Sequence, residues 1–197
     1  PVADAPFTLT AGTGTVAVAP SSGISGPDGS VTADSWQLGT TTGTQQIVIS
    51  VPENVPPLTV GIQATAAAPA SLVKTSGDNP VQSAPPGTDL GQPFVVQVLD
   101  QYNNGVPTAS VQWRACDGSV EQMAATDAGG FASITVKTGS APGPACVNAY
   151  SPAADATQVQ GSPVTFDYTV SGGSPSTSQS AGFKGPVFTP QKLRPRP

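Results

Sequence analysis

The chain matches itself. When "FTLTAGTGTV" is set against "VQWRACDGSV", Phe7 falls on Val111, Leu9 on Trp113, Gly14 on Gly118 and Val16 on Val120. Further on, "GPDGSVTADSWQLGTTTGTQQIVISVP" falls on "TDAGGFASITVKTGSAPGPACVNAYSP", with one extra residue in the first copy near Asp34, and "PLTVGIQATA" falls on "PVTFDYTVSG". An internal repeat of this length means that one structural plan is used twice, which argues against a single asymmetric core. Both copies alternate apolar and other residues at period two, as half-buried strands do. The extra residue near Asp34 predicts a β-bulge at that point.

Composition agrees with strands. Gly and Pro number 22 each, too many breakers for a helical protein of this size, while the abundant Thr, Ser and Val suit short strands joined by turns. With 37% hydrophobic residues in regular alternation, the bulk of the chain reads as folded. The second copy is the fuller one. Within residues 69–172 the pattern predicts strands at 71–75, 92–100, 109–114, 120–124, 132–137, 145–150 and 164–170, a spacing that fits an immunoglobulin-like sandwich. "NNG" at 103–105 and "DAGG" at 127–130 supply turn residues that tolerate positive φ.

The first copy has no match for residues 71–104, so two strands, one of them long and apolar, are missing from its plan. The expectation is therefore an all-β chain of two tandem immunoglobulin-like β-sandwiches. Residues 1–68 form the first, lacking its N-terminal strands; residues 69–172 form the complete second; residues 173–197 are a Gly/Ser/Pro-rich linker and an extended basic C-terminal tail. Loss of those strands is expected to uncover inner faces around Phe7, Leu9, Trp36, Leu38, Ile47 and Ile49. At roughly 1.5–3 kcal/mol per large buried side chain, a few lost contacts rival the roughly 5–15 kcal/mol that holds a domain together. Three explanations compete: a fragment of a longer array, a strand donated by another chain, or a rearranged and smaller sandwich. The second makes Phe7 and Leu9 candidate contacts between subunits. Trp36 and Trp113 both lie in alternating patterns and read as core residues.

Cys116 and Cys146 are the only cysteines and predict one disulfide in an oxidising compartment, two buried thiols being the alternative. A closed loop of about 30 residues is worth roughly 3–4 kcal/mol by the chain-entropy argument. Gly12 and Gln46 stand at the matching places in the first copy, so the staple reinforces one unit and is not required by the plan.

Charge and chemistry exclude several functions. Twelve acids and three cations up to Asp167 leave that body at about −9, and the four later cations give the tail +4. A body with only Lys74, Arg114 and Lys137 offers no basic stripe for nucleic acid. No apolar run is long enough to span a membrane. The chain has no histidine, which removes the common nucleophile triads and the commonest zinc ligand. Glu53 and Glu121 form no recognisable acid/base pair, and Asp100, Asp117 and Asp127 lie beside turns, where Asp stabilises local backbone. Neither catalytic residues, nor a metal site, nor a cofactor is expected. In the tail, Phe183, Val187 and Phe188 are candidate anchors in a groove, with Lys192, Arg194 and Arg196 set to meet the acidic surface of a neighbour. Its prolines make it a poor donor strand.

At "DLGQPFVVQVLDQYNNGVPTASVQW" followed by "TDAGGFASITVKTG", and again at "LTAGTGTV" and "GSVTADSWQLGTTTGTQQIVISV", the sequence resembles the bacterial Ig-like group 1 domains of the invasin and intimin type. The resemblance covers nearly all of residues 1–171; the disulfide is not a general feature of that pattern. It implies a β-sandwich used as a tandem rod module in bacterial adhesins, secreted proteins and some phage virions, without catalytic residues. The expected function is then a non-catalytic rod or spacer of an extracellular surface protein or filament, its partners being other copies or neighbouring domains. The alternative is an adhesin or virion decoration module that holds a host receptor or glycan, a reading that clustered Tyr102 and Tyr150 would favour.

Overall fold

The computed structural model describes residues 2–52, 55–151 and 158–172, and they are all-β: strands and turns, with no helix among them. The strands are β1 (Pro6–Ala11), β2 (Thr15–Ala19), β3 (Ser22–Ile24), β4 (Ser35–Leu38), β5 (Gly43–Ser50), β6 (Leu58–Ala64) and β7 (Ser71–Ser76). They continue with β8 (Gln82–Ala84), β9 (Phe94–Leu99), β10 (Ser110–Ala115), β11 (Glu121–Ala125), β12 (Phe131–Ile134), β13 (Gly143–Tyr150) and β14 (Val164–Val170). Two tandem sandwiches result. The first pairs the sheet β3-β1-β5-β6 with the ribbon β2-β4; the second pairs β11-β10-β13-β14-β8 with β12-β9-β7.

The second sandwich follows its sequence pattern closely. Each predicted strand is present, its ends displaced by at most three residues. On β9, Phe94, Val96 and Val98 turn inward, and on β14, Val164, Phe166, Tyr168 and Val170 do the same, so strict alternation puts two apolar faces against each other. The Phe94 and Phe166 rings stack at 4.7 Å, and Trp113 from β10 meets Phe166 at 5.8 Å. One strand was not anticipated: β8, three residues between Pro80 and Pro85, runs parallel along β14 with Gln82 opposite Tyr168. It is too short to show a period.

The "NNG" and "DAGG" turns pack on each other. A Cβ on Gly105 would stand 2.1 Å from the Gly129 carbonyl oxygen, and Gly130 adopts φ +79° with its missing Cβ 2.5 Å from the Val98 oxygen. Only glycine fits this approach.

The first sandwich departs from expectation. Loss of two strands was expected to bare Phe7, Leu9 and Ile47, but all three are buried, while Trp36, Leu38 and Ile49 are half-buried. The reason is rearrangement. In the second sandwich β11 borders β10 and β12 pairs with β9. In the first, β2, the match of β11, leaves that edge and pairs instead with β4. The vacated edge of β1 is taken by β3, with Phe7 opposite Gly23, whose missing side chain leaves room for the Phe7 ring. Extra chain makes this possible: nine residues lie between Val16 and Gly26, but only five between Val120 and Thr126. Nor does the extra residue near Asp34 form a bulge. The irregularity lies across the ribbon on β2, where pairing steps from Thr15 to Ala17 opposite the continuous Gln37 and Leu38. Trp36 is therefore only partly a core residue, and its Nε1 donates to Thr15 Oγ1 at 2.9 Å.

Rearrangement does not replace everything. Among the described residues, no strand pairs with the outer edge of β6 as β8 pairs with that of β14. Leu58, Val60 and Ile62 occupy the places of Val164, Phe166 and Tyr168; they are 60%, 37% and 44% exposed, against 9%, 0% and 7% for their counterparts. The uncovered apolar face thus exists, on β6 and not around Phe7.

Candidate functional site at the junction of the sandwiches

Six residues, 65–70, connect β6 to β7. What fixes this connection is one buried carboxylate. Asp100 follows β9, is 2% exposed, and opens the turn "DQYNNG". Its Oδ1 accepts from the backbone N–H groups of Tyr102 (2.8 Å) and Asn104 (2.9 Å), the Asx arrangement that makes Asp a turn former. Its Oδ2 accepts from the Asn104 side chain (2.9 Å) and from the N–H of Ala67, in the connection, at 3.0 Å.

Asn104 carries the link onward to the first sandwich. Its Nδ2 also donates to the Thr40 carbonyl at 2.8 Å, and its Oδ1 accepts from Thr42 N at 3.3 Å. The loop it grips is held from the other side by Gln45, a buried amide on the inner face of β5. Gln45 Oε1 accepts from Gly39 N (2.8 Å), and Nε2 donates to the Thr41 carbonyl (2.7 Å) and the Gly39 carbonyl (3.3 Å). A chain of side chains, Gln45 to the 39–42 loop to Asn104 to Asp100 to Ala67, therefore ties both sandwiches and their connection together. Ala66 adds apolar contact by packing against the second core.

Electrostatics support the clamp. Burial pulls the Asp100 carboxyl upward, but the bonds from the Asn104 side chain and from the N–H groups of Ala67, Asn104 and Tyr102 outweigh it, so the group sits below the ordinary carboxylate range. It is charged at neutral pH. Asp117 and Asp127 play smaller versions of the same part: Asp117 accepts from Ser119 N and Oγ, and Asp127 from Gly129 N and Phe131 N. Among the described residues, no three His, Cys, Asp or Glu side chains converge on one point.

Cys116 and Cys146 are joined in a disulfide with Cα atoms 5.5 Å apart. Cys116 directly follows β10, and its N–H donates to the Cys146 carbonyl on β13, so the bond crosses neighbouring strands of one sheet at its end and does not tie the two sheets together. Phe7 and Leu9 lie inside the first sandwich. Phe183, Val187, Phe188, Lys192, Arg194 and Arg196 lie outside the described residues, as does Glu53. Tyr102 is exposed on the junction turn, whereas Tyr150 is half-buried at the end of β13 beside the Arg114 guanidinium. The aromatic pairs among the described residues involve Phe94, Trp113, Phe166 and Tyr168, and include neither of those tyrosines.

Sequence reasoning missed Asn104, Gln45 and the stripe on β6. Asn104 was read as turn chemistry alone, and its reach to another unit has no sequence mark. Gln45 had one: a polar residue at an inward position of an otherwise apolar strand demands partners.

No protein-family model matches the chain, and no curated protein does. The fold is a pair of immunoglobulin-like sandwiches. Among solved structures the chain is similar to the D0-D1 domain of intimin, at 17% identity and a TM-score of 0.37, over 87% of this chain and 83% of that one. It is similar to domains 4 and 5 of the S-layer protein SbsC at 18% identity and a TM-score of 0.41, over 87% and 74% of the two chains. Similarity to invasin, described as a bacterial integrin-binding protein, spans 86% of this chain and 33% of that one, at 18% identity and a TM-score of 0.40. Intimin and invasin are the proteins whose sequence pattern the chain resembles.

Proposed function

We propose that this chain is a non-catalytic structural module of an extracellular surface protein, built as a spacer that holds what lies on either side of it at a set distance and angle. The units are residues 1–68 and 69–172, with residues 173–197 as a tail. One observation carries the reading: a buried, charged Asp100, besides closing its own turn, binds the connection through Ala67 and orients Asn104 toward the first sandwich. Burying a carboxylate is costly unless it is fully bonded, so its placement between two units is an investment in fixing their relation. A disulfide at the end of a sheet and a chain without histidine fit an oxidising, extracellular setting and a role without acid/base chemistry.

The test is 15N relaxation on the full chain. A spacer predicts one rotational correlation time shared by both sandwiches; two distinct, shorter times sink the reading. Tail exchange, with Phe183, Val187 and Phe188 anchoring in a neighbour and Lys192, Arg194 and Arg196 meeting its acidic body, predicts salt-sensitive association that disappears when the chain is cut after Gly182. Binding of the monomer to host cells or sugars in the same preparation would favour the adhesive alternative.

A further inference from the structure

We propose that Asn104–Gly105 is a self-modification site, at which the Gly105 backbone nitrogen converts the Asn104 amide to a carboxylate through a cyclic imide and thereby releases the junction. The inference rests on the spacer reading, because it says how a fixed junction is let go. The reaction needs water alone. The Gly105 nitrogen gives up its proton and attacks Asn104 Cγ; the N–Cγ bond forms, the Cγ–Nδ2 bond breaks, and ammonia leaves with that proton. Water then opens the imide. Opening at Cγ gives aspartate, and opening at the main-chain carbonyl gives isoaspartate, so that a water is consumed and an ammonia released in either case.

The fold sets this pair up and also restrains it. Of five asparagines in the chain, Asn104 alone precedes glycine, which has no Cβ to crowd the attacking nitrogen. That nitrogen is free. Leu99 and Gly105 face each other in a bridge whose bonds run from Asp100 N to the Asn104 carbonyl and from Val106 N to the Val98 carbonyl, both 2.9 Å. Among the described residues the Gly105 N–H therefore donates to no acceptor, and the nucleophile stands beside its target in the chain. Packing against Gly129 fixes glycine at this place, and both residues of the pair are half-buried, within reach of water. The restraint is the junction itself. Asn104 Nδ2 is engaged by the Thr40 carbonyl and Asp100 Oδ2, and Oδ1 by Thr42 N, so Cγ becomes available only when the amide leaves those bonds. Conversion then opposes reclosure: an oxygen without a proton replaces Nδ2, facing the Thr40 carbonyl and, across the former 2.9 Å bond, the charged Asp100 carboxylate.

Incubation of the full chain in 18O-labelled water, beside the free peptide "DQYNNGVPT", tests the site by peptide mass spectrometry. Isoaspartate carrying a labelled oxygen is expected at position 104 in both, about tenfold or more slowly in the chain, where the amide must first break its bonds. Asn103 and Asn148 are expected to stay intact. Release is tested by 15N relaxation on the converted chain and, independently, on Asn104→Asp, with amide dispersion reporting that both remain folded. Each is expected to replace the shared correlation time of the two sandwiches by two shorter ones. The proposal is overturned if Asn104 stays intact in the chain while the peptide converts, if aspartate forms without isoaspartate, or if the converted chain and Asn104→Asp both keep one shared time. Two separate times before any conversion would instead sink the spacer reading, and the release with it, whether or not Asn104 converts.

Discussion

Asp100 shows how one residue serves both a local and a distant purpose. Its two oxygens close a turn and hold a connection, and both tasks need the ionised form. Because the folded carboxyl titrates below its ordinary value of about 3.9, the folded state binds fewer protons than the unfolded one in that range, and stability must fall as pH falls. The contribution is complete above the unfolded value and disappears as pH drops through the folded one. Urea unfolding from about pH 6 down to about pH 2 checks this, with Asp100→Asn expected to be less stable at the upper end by about 1–3 kcal/mol and to lose part of the acid dependence. Gly105 is a second residue-scale test. Gly105→Ala places a methyl 2.1 Å from the Gly129 oxygen and is expected to cost about 1–3 kcal/mol, read as a lower urea midpoint with an unchanged slope.

At the scale of elements, β6 and β14 make a natural comparison, since the repeat matches Val60 to Phe166 on the same face of the same strand. Phe166 is enclosed by Phe94 and Trp113, while Val60 faces solvent. Phe166→Ala is expected to lower stability by about 3–5 kcal/mol and Val60→Ala by well under about 1 kcal/mol, both measured on monomeric protein. The disulfide between Cys116, just after β10, and Cys146 on β13 is expected to contribute about 2–4 kcal/mol; a Cys116→Ser, Cys146→Ser double variant should unfold the second sandwich at lower urea. These strands were legible in the sequence because alternation of period two is a local signal, and Phe94, Trp113 and Phe166 announce their faces. β3 and β8 were not. Each has three residues and is placed by the edge it borders, on β1 and β14, and pairing across a sheet leaves no local trace.

For the whole molecule, the repeat predicted two sandwiches and a deficit in the first. It did not reveal how the strands of the first would pair. That depended on extra chain between β2 and β4, which lets β2 change partners and β3 take its place on β1. Because rearrangement covers Phe7 and Leu9 but leaves Leu58, Val60 and Ile62 open, the exposed face moves from the start of the first unit to its last strand. The junction was invisible for a related reason: the Asp100 turn belongs to a segment that the first copy lacks, so comparison of the copies had nothing to say about it. Its role rests on bonds to Ala67, Thr40 and Thr42, residues that no motif singles out. The most direct measurement is the distance distribution between spin labels at the exposed positions Ala17 and Ser133, one on each sandwich, in the wild type and in Asn104→Ala. A single narrow distribution that broadens when Asn104 loses its amide is predicted; a broad wild-type distribution, unchanged in the variant, would contradict the clamp.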